Sequence, residues 1–231
     1  MIKELLYPPK CVACGAIIPG KTYICPRCKK RLMKIKEPMC IVCGKQLEDE
    51  EMEICYDCSH TKHEFEFHRS VFLYEERAKK LMYGLKYGHN RDCGAFFATE
   101  IVKDMKRFIQ ALGVDGIVPI PLHKEREKQR GYNQAEIIAK IIGKECNILV
   151  YPDYLIRGKR TRPQKELNQL ERKNNVENAF HVKKNAVQLK EILLVDDIYT
   201  TGTTMDAASR ALKQEGVSKV YCLTACIGRG F

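Results

Sequence analysis

The chain has 231 residues, 45% of them hydrophobic and 30% charged, with a formal net charge of +11 at neutral pH. That composition fits a globular protein of one medium domain plus a small module, and no apolar stretch approaches the ~20 residues a membrane-spanning helix needs. The opening residues MIKELLYPPK lack a long apolar core and a small-residue cleavage site, which argues against a signal peptide and makes the cytoplasm the expected compartment.

Eight of the twelve cysteines form four C-x-x-C pairs before residue 60, namely Cys11/Cys14, Cys25/Cys28, Cys40/Cys43 and Cys55/Cys58. They make two similar units, CVACG to CPRC and CIVCG to CYDC, and each unit reads as a ribbon. A C-x-x-C turn presents two sulfurs to one metal, a glycine after the second cysteine suits a turn with positive φ, and two such turns complete a four-thiolate shell. Two structural zinc ions are expected. Sequential pairing is the local solution; an interleaved arrangement fits the same spacings. His60 and His63 follow the last pair and are expected at the surface, at most as spare ligands. Two four-thiolate zinc sites leave a net charge of roughly +7, which suits polyanionic partners, as it also suits a solvated basic surface. Residues 15–22, GAIIPGKT, match a phosphate-loop pattern letter for letter. An ATPase is the remote alternative, because that loop requires a strand before it and a helix after it, and here cysteine turns hold both flanks.

The cysteine pairs stop near residue 60, where we place the boundary between a double zinc ribbon (1–60) and a second domain (61–231). Strand and helix patterns then alternate. HEFEFHRSVFLY predicts a strand, RAKKLMYGL and FFATEIVKDMKRFIQAL helices, GIVPIPL a strand, NQAEIIAKIIG a helix, and Tyr154 to Ile156 a strand. After a basic loop come a strand in ILLVDD, a helix in DAASRALKQEG and a strand in VSKVYCLTAC. Strands interleaved with helices imply an α/β fold with a mostly parallel sheet flanked by helices, and ligands then bind beyond the C-terminal strand ends.

Asp196, Asp197, Thr200, Thr201, Gly202, Thr203 and Thr204 lie at such an end, in VDDIYTTGTT. Backbone N–H groups around Gly202, a helix N-terminus and threonine hydroxyls suit a phosphate. The two acids suit paired sugar hydroxyls or a hydrated Mg²⁺. Together they fit a molecule with a 5′-phosphate beside a ribose diol.

This stretch resembles the phosphoribosyl-pyrophosphate signature of type I phosphoribosyltransferases. With LKY (85–87), VPIPLH (118–123), RGYNQAE (130–136), RTRPQ (160–164) and the pattern Arg172, Asn175, Val176, Ala179, Phe180, nearly the whole chain resembles the ComF family. That resemblance implies a zinc-ribbon head on a phosphoribosyltransferase-like domain, a role in DNA uptake during bacterial competence, and a DNA-uptake helicase or other competence proteins as partners. It also implies that Pro119, Ile120 and Pro121 face a pyrophosphate. Lys124, Arg126, Lys128 and Arg130, before Gly131, can neutralise that pyrophosphate, diluted by Glu125 and Glu127. Asn133 serves as a helix cap or as a ligand contact.

No acceptor for transferase chemistry emerges from the sequence; only the segment from Tyr74 to Tyr87 offers base-stacking candidates. Single-stranded DNA is the second expected partner. Its candidate contacts are Lys29, Lys30 and Arg31 in one basic stretch and Arg157, Lys159, Arg160 and Arg162 in another, with Tyr83, Tyr87, Tyr132 and Tyr154 as stacking faces. A phosphoribosyltransferase of nucleobase salvage is the alternative. Cys93, Cys146, Cys222 and Cys226 are expected to be buried packing, and His89, His123 and His181 carry no assignment.

Overall fold

A computed structural model describes residues 8–20, 22–158 and 179–229. Short helices α1 (Pro26–Lys29) and α2 (Tyr56–His60) follow cysteine turns. The larger part runs β1 (Phe67–Leu73), α3 (Glu76–Tyr87), α4 (Arg91–Ala111), β2 (Gly116–Pro119), α5 (Lys124–Arg130), α6 (Gln134–Cys146), β3 (Leu155–Arg157), β4 (Phe180–Val182), β5 (Glu191–Tyr199), α7 (Thr203–Gln214) and β6 (Lys219–Ile227).

The main sheet has the order β1-β6-β5-β2 with every pairing parallel. The run ILLV makes β5 a central strand because a parallel strand covered on both faces must be apolar throughout. Ile192 to Val195 are all buried, and emptying one such position, as in Leu194→Ala, costs about 2–5 kcal/mol. One face of the sheet packs Leu193, Val195 and Leu223 against Leu81, Leu85, Phe97, Ile101, Ile138 and Ile142 of α3, α4 and α6. The other packs Ile192, Leu194 and Val220 against Ala208 and Leu212 of α7 and against Leu155 and Phe180 of the antiparallel β3–β4 pair.

The cysteine-rich segment straddles the β1 edge. Cys11 and Cys28 belong to the core on the α3–α4 face, whereas Cys40, Cys43 and Cys55 belong to the core on the α7 face. Between them the amide of Ile35 donates to Val71 and that of Leu73 to Met33, so the chain covers an edge that would otherwise stand open. Gly15 and Gly44, each following a second cysteine, have φ of +76° and +69°, as the turn chemistry requires. Gly44 also allows close approach, since a Cβ there would lie 2.8 Å from the carbonyl oxygen of His68.

Three local expectations are corrected. Residues 124–130, expected as a loop carrying Lys128 and Arg130 to a pyrophosphate, are helical: His123 caps the start and Gly131, at φ +76°, ends the helix in the left-handed region. β4 has no counterpart among the sequence-predicted strands. The first strand begins at Phe67 rather than His63, because His63 and Glu64 are drawn away to α7.

Candidate phosphate site and cysteine centres

In each cysteine set, Cys11/Cys14/Cys25/Cys28 and Cys40/Cys43/Cys55/Cys58, the sulfurs lie within 4.8 Å of one another, so the pairing is sequential. A tetrahedral zinc with bonds of about 2.3 Å separates its sulfurs by about 3.8 Å. Cys14 and Cys25 are 3.9 Å apart and Cys43 and Cys55 3.5 Å, so the donor sets fit the ion. Without a cation the thiols compete for protons. The hydrogen bond from Cys43 pulls Cys40 down to about 4, while burial pushes Cys58 up to about 12. A dication removes that conflict, and the closed all-thiolate shells are structural. The GAIIPGKT stretch lies between Cys14 and Cys25, and the helix after it, α1, is four residues long, which is not the context of a phosphate loop.

The candidate phosphate site is the β5–α7 junction. Gly202, at φ +81°, is the N-cap of α7, and among the described residues it brings no side-chain cap to the helix. The first amides of a helix have no partner within it, so this end presents free donors and a positive dipole to an anion. Thr200, Thr201 and Thr203 are exposed and Thr204 half-buried, with the hydroxyls of Thr201 and Thr203 2.9 Å apart.

Behind the loop the acids are held differently. Asp197 is buried; it accepts from Lys86 Nζ at 2.8 Å and from Gln134 Nε2. Asp196 is half-buried, accepts from the amide of Asp197 at 2.7 Å, and is pushed up to about 7, first by burial and then by the charge of Asp197. The charges of Lys86 and then Arg157 counter that rise. A carboxylate so raised is one whose charge a nearby cation or hydroxyl donors would favour.

The loop after β2 lies beside this strand tip, because the amide of Ile120 donates to Val195 at 2.8 Å, after Pro119 has paired with the same residue. Asn133 both caps α6, accepting from Ala135 at 3.0 Å, and holds the loop by donating to Ile120 at 2.9 Å. Arg130 is buried against Gln134, so it braces Asp197 through that amide; Lys128 is exposed. A cavity of about 570 Å³ opens between the start of α5 and the β3–β4 pair, lined by His123, Lys124, Arg157 and His181 among others.

Of the nucleic-acid candidates, Lys29 is engaged by the buried carboxylate of Glu100, Lys30 and Arg31 are exposed, and Arg157 lies over the Phe180 ring at 5.3 Å. Lys159, Arg160 and Arg162 lie outside the described residues. Tyr154 is buried and offers no stacking face. Tyr83 and Tyr87 are exposed with ring centroids 5.0 Å apart. Lys86 and Gln134 sit inside the quoted LKY and RGYNQ segments, but nothing in their spacing pointed to Asp197. His63 is a correction: its side chain is 3% exposed, bound to Asp206. The four cysteines outside the ribbons are buried, as expected.

The parallel sheet, its acidic strand tip and the open helix start define a phosphoribosyltransferase-type domain, joined here to two cysteine centres. Comparison with known families agrees: residues 2–59 match the double zinc ribbon domain and residues 130–230 the phosphoribosyl transferase domain. The chain is similar to Competence protein F of Haemophilus influenzae (29% identity; 91% of this chain and 93% of that protein). It is also similar to Competence protein ComFC of Bacillus subtilis (27%; 84% and 79%) and to DNA utilization protein YhgH of Escherichia coli (24%; 88% and 91%). The chain thus carries a double zinc ribbon domain and a phosphoribosyl transferase domain, and is similar over most of its length to competence and DNA utilization proteins. No helix among the described residues is long and apolar enough to cross a membrane.

Proposed function

We propose that the protein binds phosphoribosyl pyrophosphate at the β5–α7 junction and handles single-stranded DNA during DNA uptake, in the cytoplasm. The observation that carries the pocket is the uncapped start of α7 behind Gly202, directly after two acids at the tip of a buried parallel strand. Amides of the loop and the hydroxyls of Thr200, Thr201, Thr203 and Thr204 take the 5′-phosphate, while Asp196 and Asp197 take the ribose diol. Pro119, Ile120 and Pro121 shape the wall for the pyrophosphate and the exposed Lys128 on α5 supplies a cation to it, whereas Arg130, just before Gly131, acts from behind through Gln134 and Asp197. Magnesium bound with the ligand would supply charge neutralisation for the pyrophosphate, and Asp196 is the acid that would hold it. Residues 1–60 then serve as a metal-stapled domain against the transferase-like domain of residues 61–231.

Names of the relatives support the DNA role, and a surface supports its chemistry. Tyr83 and Tyr87 flank Lys86 on α3, the Arg130 guanidinium lies 5.7 Å from the Tyr87 ring, and Arg91 lies 4.8 Å from the Tyr132 ring. Exposed aromatic faces backed by cations stack bases without sequence preference. Lys30, Arg31 and Arg157 extend the phosphate contacts. Competence proteins such as a DNA-uptake helicase are the protein partners we propose.

A nucleobase phosphoribosyltransferase is the second reading, favoured by the cavity beside His123 and Arg157. In that chemistry the bond from the anomeric carbon to pyrophosphate breaks, the bond from an acceptor nitrogen forms, and the acceptor's N–H proton leaves to solvent. Pyrophosphate release on incubating the protein with the ligand and each common base, with and without single-stranded DNA, separates the two. Release with a base alone supports the enzyme, whereas ligand and DNA binding without release supports the first reading.

A further inference from the structure

The glycine of the phosphate loop rests on two supports, and both lead back to the second cysteine centre. Along the first, His63 Nε2 lies 3.6 Å from Cys58 Sγ, and Nδ1 lies 3.0 and 3.2 Å from the two carboxylate oxygens of Asp206. The amide of Glu64 donates to the same carboxylate at 2.9 Å. The His63 ring also walls the loop, since a Cβ on Gly202 would meet its Cε1 at 2.9 Å. Along the second, His68 Nδ1 donates to the carbonyl of Cys43 at 2.7 Å, and the His68 ring stacks on Tyr199 at 4.1 Å. The Tyr199 hydroxyl in turn lies 2.6 Å from that same Gly202 position. The first centre faces the other side of the sheet, where its following turn is tied to α4 through Lys29 and Glu100.

Asp206 lies in the first turn of α7, where a carboxylate competes with a bound phosphate for the same helix dipole. His63 and the Glu64 amide occupy that carboxylate. We infer that the second cysteine centre, when it holds zinc, sets the phosphate loop, with His63 as the positioning residue between Cys58 and Asp206. The inference rests on the proposal that this loop takes a phosphoryl group. Linkage is reciprocal, so a ligand that needs the loop in this arrangement must also hold the second zinc more firmly, and the first zinc no differently.

The test uses the full chain loaded with two zincs. Affinity for phosphoribosyl pyrophosphate with Mg²⁺ is measured by calorimetry, and zinc transfer to a colorimetric chelator is followed with and without that ligand. The wild type should bind, and the ligand should slow release of one zinc by about tenfold while leaving the other unchanged. His63→Ala should keep both zincs, bind about tenfold more weakly, and lose the slowing. His63→Asn keeps a donor for Asp206 but none towards Cys58, so it should recover affinity without recovering the slowing; it also serves if the alanine variant does not fold. A wild type that binds while slowing both zincs or neither, or slowing that survives in His63→Asn, overturns the coupling alone. A wild type that does not bind overturns the phosphate-loop proposal and the coupling with it.

Discussion

Lys86 donates to Asp197 across 2.8 Å, joining the last turn of α3 to the tip of β5 over a sequence separation of 111 residues. Asp197 is buried, so removing its cation leaves an under-compensated charge at the strand tip. Lys86→Met should lower unfolding stability by about 1–3 kcal/mol, less than a fully buried pair because Lys86 is partly exposed. Urea denaturation measures it, and a change within error of zero removes the bracing role given to Lys86.

Gly202→Ala tests the loop backbone. The position combines φ +81° with a Cβ site 2.6 Å from the Tyr199 hydroxyl, so any side chain is strained and displaces the floor of the loop. Stability should fall by about 1–2 kcal/mol and ligand affinity by more than Thr203→Ala removes. Zinc content should stay at two per chain. Affinity equal to wild type would mean the loop amides do not face the ligand.

Asp196 gives a pH dependence of defined sign. Its pKa in the folded chain is raised to about 7, so the unfolded chain ionises first and stability falls as pH rises from the ordinary carboxylate range to about 7, then levels off. Asp196→Asn should therefore exceed the wild type by about 1–2 kcal/mol at pH 8, discounted from ~1.4 kcal/mol per pKa unit because the side chain is half-exposed. That advantage should shrink as the pH falls below 6. Denaturant midpoints at several pH values decide it; an advantage that grows in acid reverses the sign.

Tyr83→Ala together with Tyr87→Ala should weaken single-stranded DNA binding by about 1–3 kcal/mol per stacked base while leaving the salt slope unchanged. Arg31→Ala should instead reduce the slope by about one. Fluorescence anisotropy across a salt series separates them. Loss of slope in the tyrosine variant would make the patch electrostatic rather than a stacking platform.

Much of this was legible in the sequence, where chemistry is local. The apolar run before Asp196 announces a buried strand, and the C-x-x-C spacing announces the ribbons, because both depend on neighbours a few residues away. α5 escaped because Lys124 to Arg130 has no apolar stripe; its limits are set by the cap of His123 and the left-handed Gly131. β4 escaped because three residues carry little period and its partner β3 is distant in sequence. His63, Lys86 and Gln134 escaped for one reason: their partners Asp206 and Asp197 are 143, 111 and 63 residues away, and spacing carries no signal at that range.

Calorimetric titration of phosphoribosyl pyrophosphate with Mg²⁺ into the wild type and into Asp196→Asn with Asp197→Asn is the deciding measurement. Saturable binding by the wild type, abolished in the double variant with both zincs retained, is the expected result. Equal affinity in the two proteins, or no heat from the wild type, contradicts a sugar-phosphate pocket at the tip of β5.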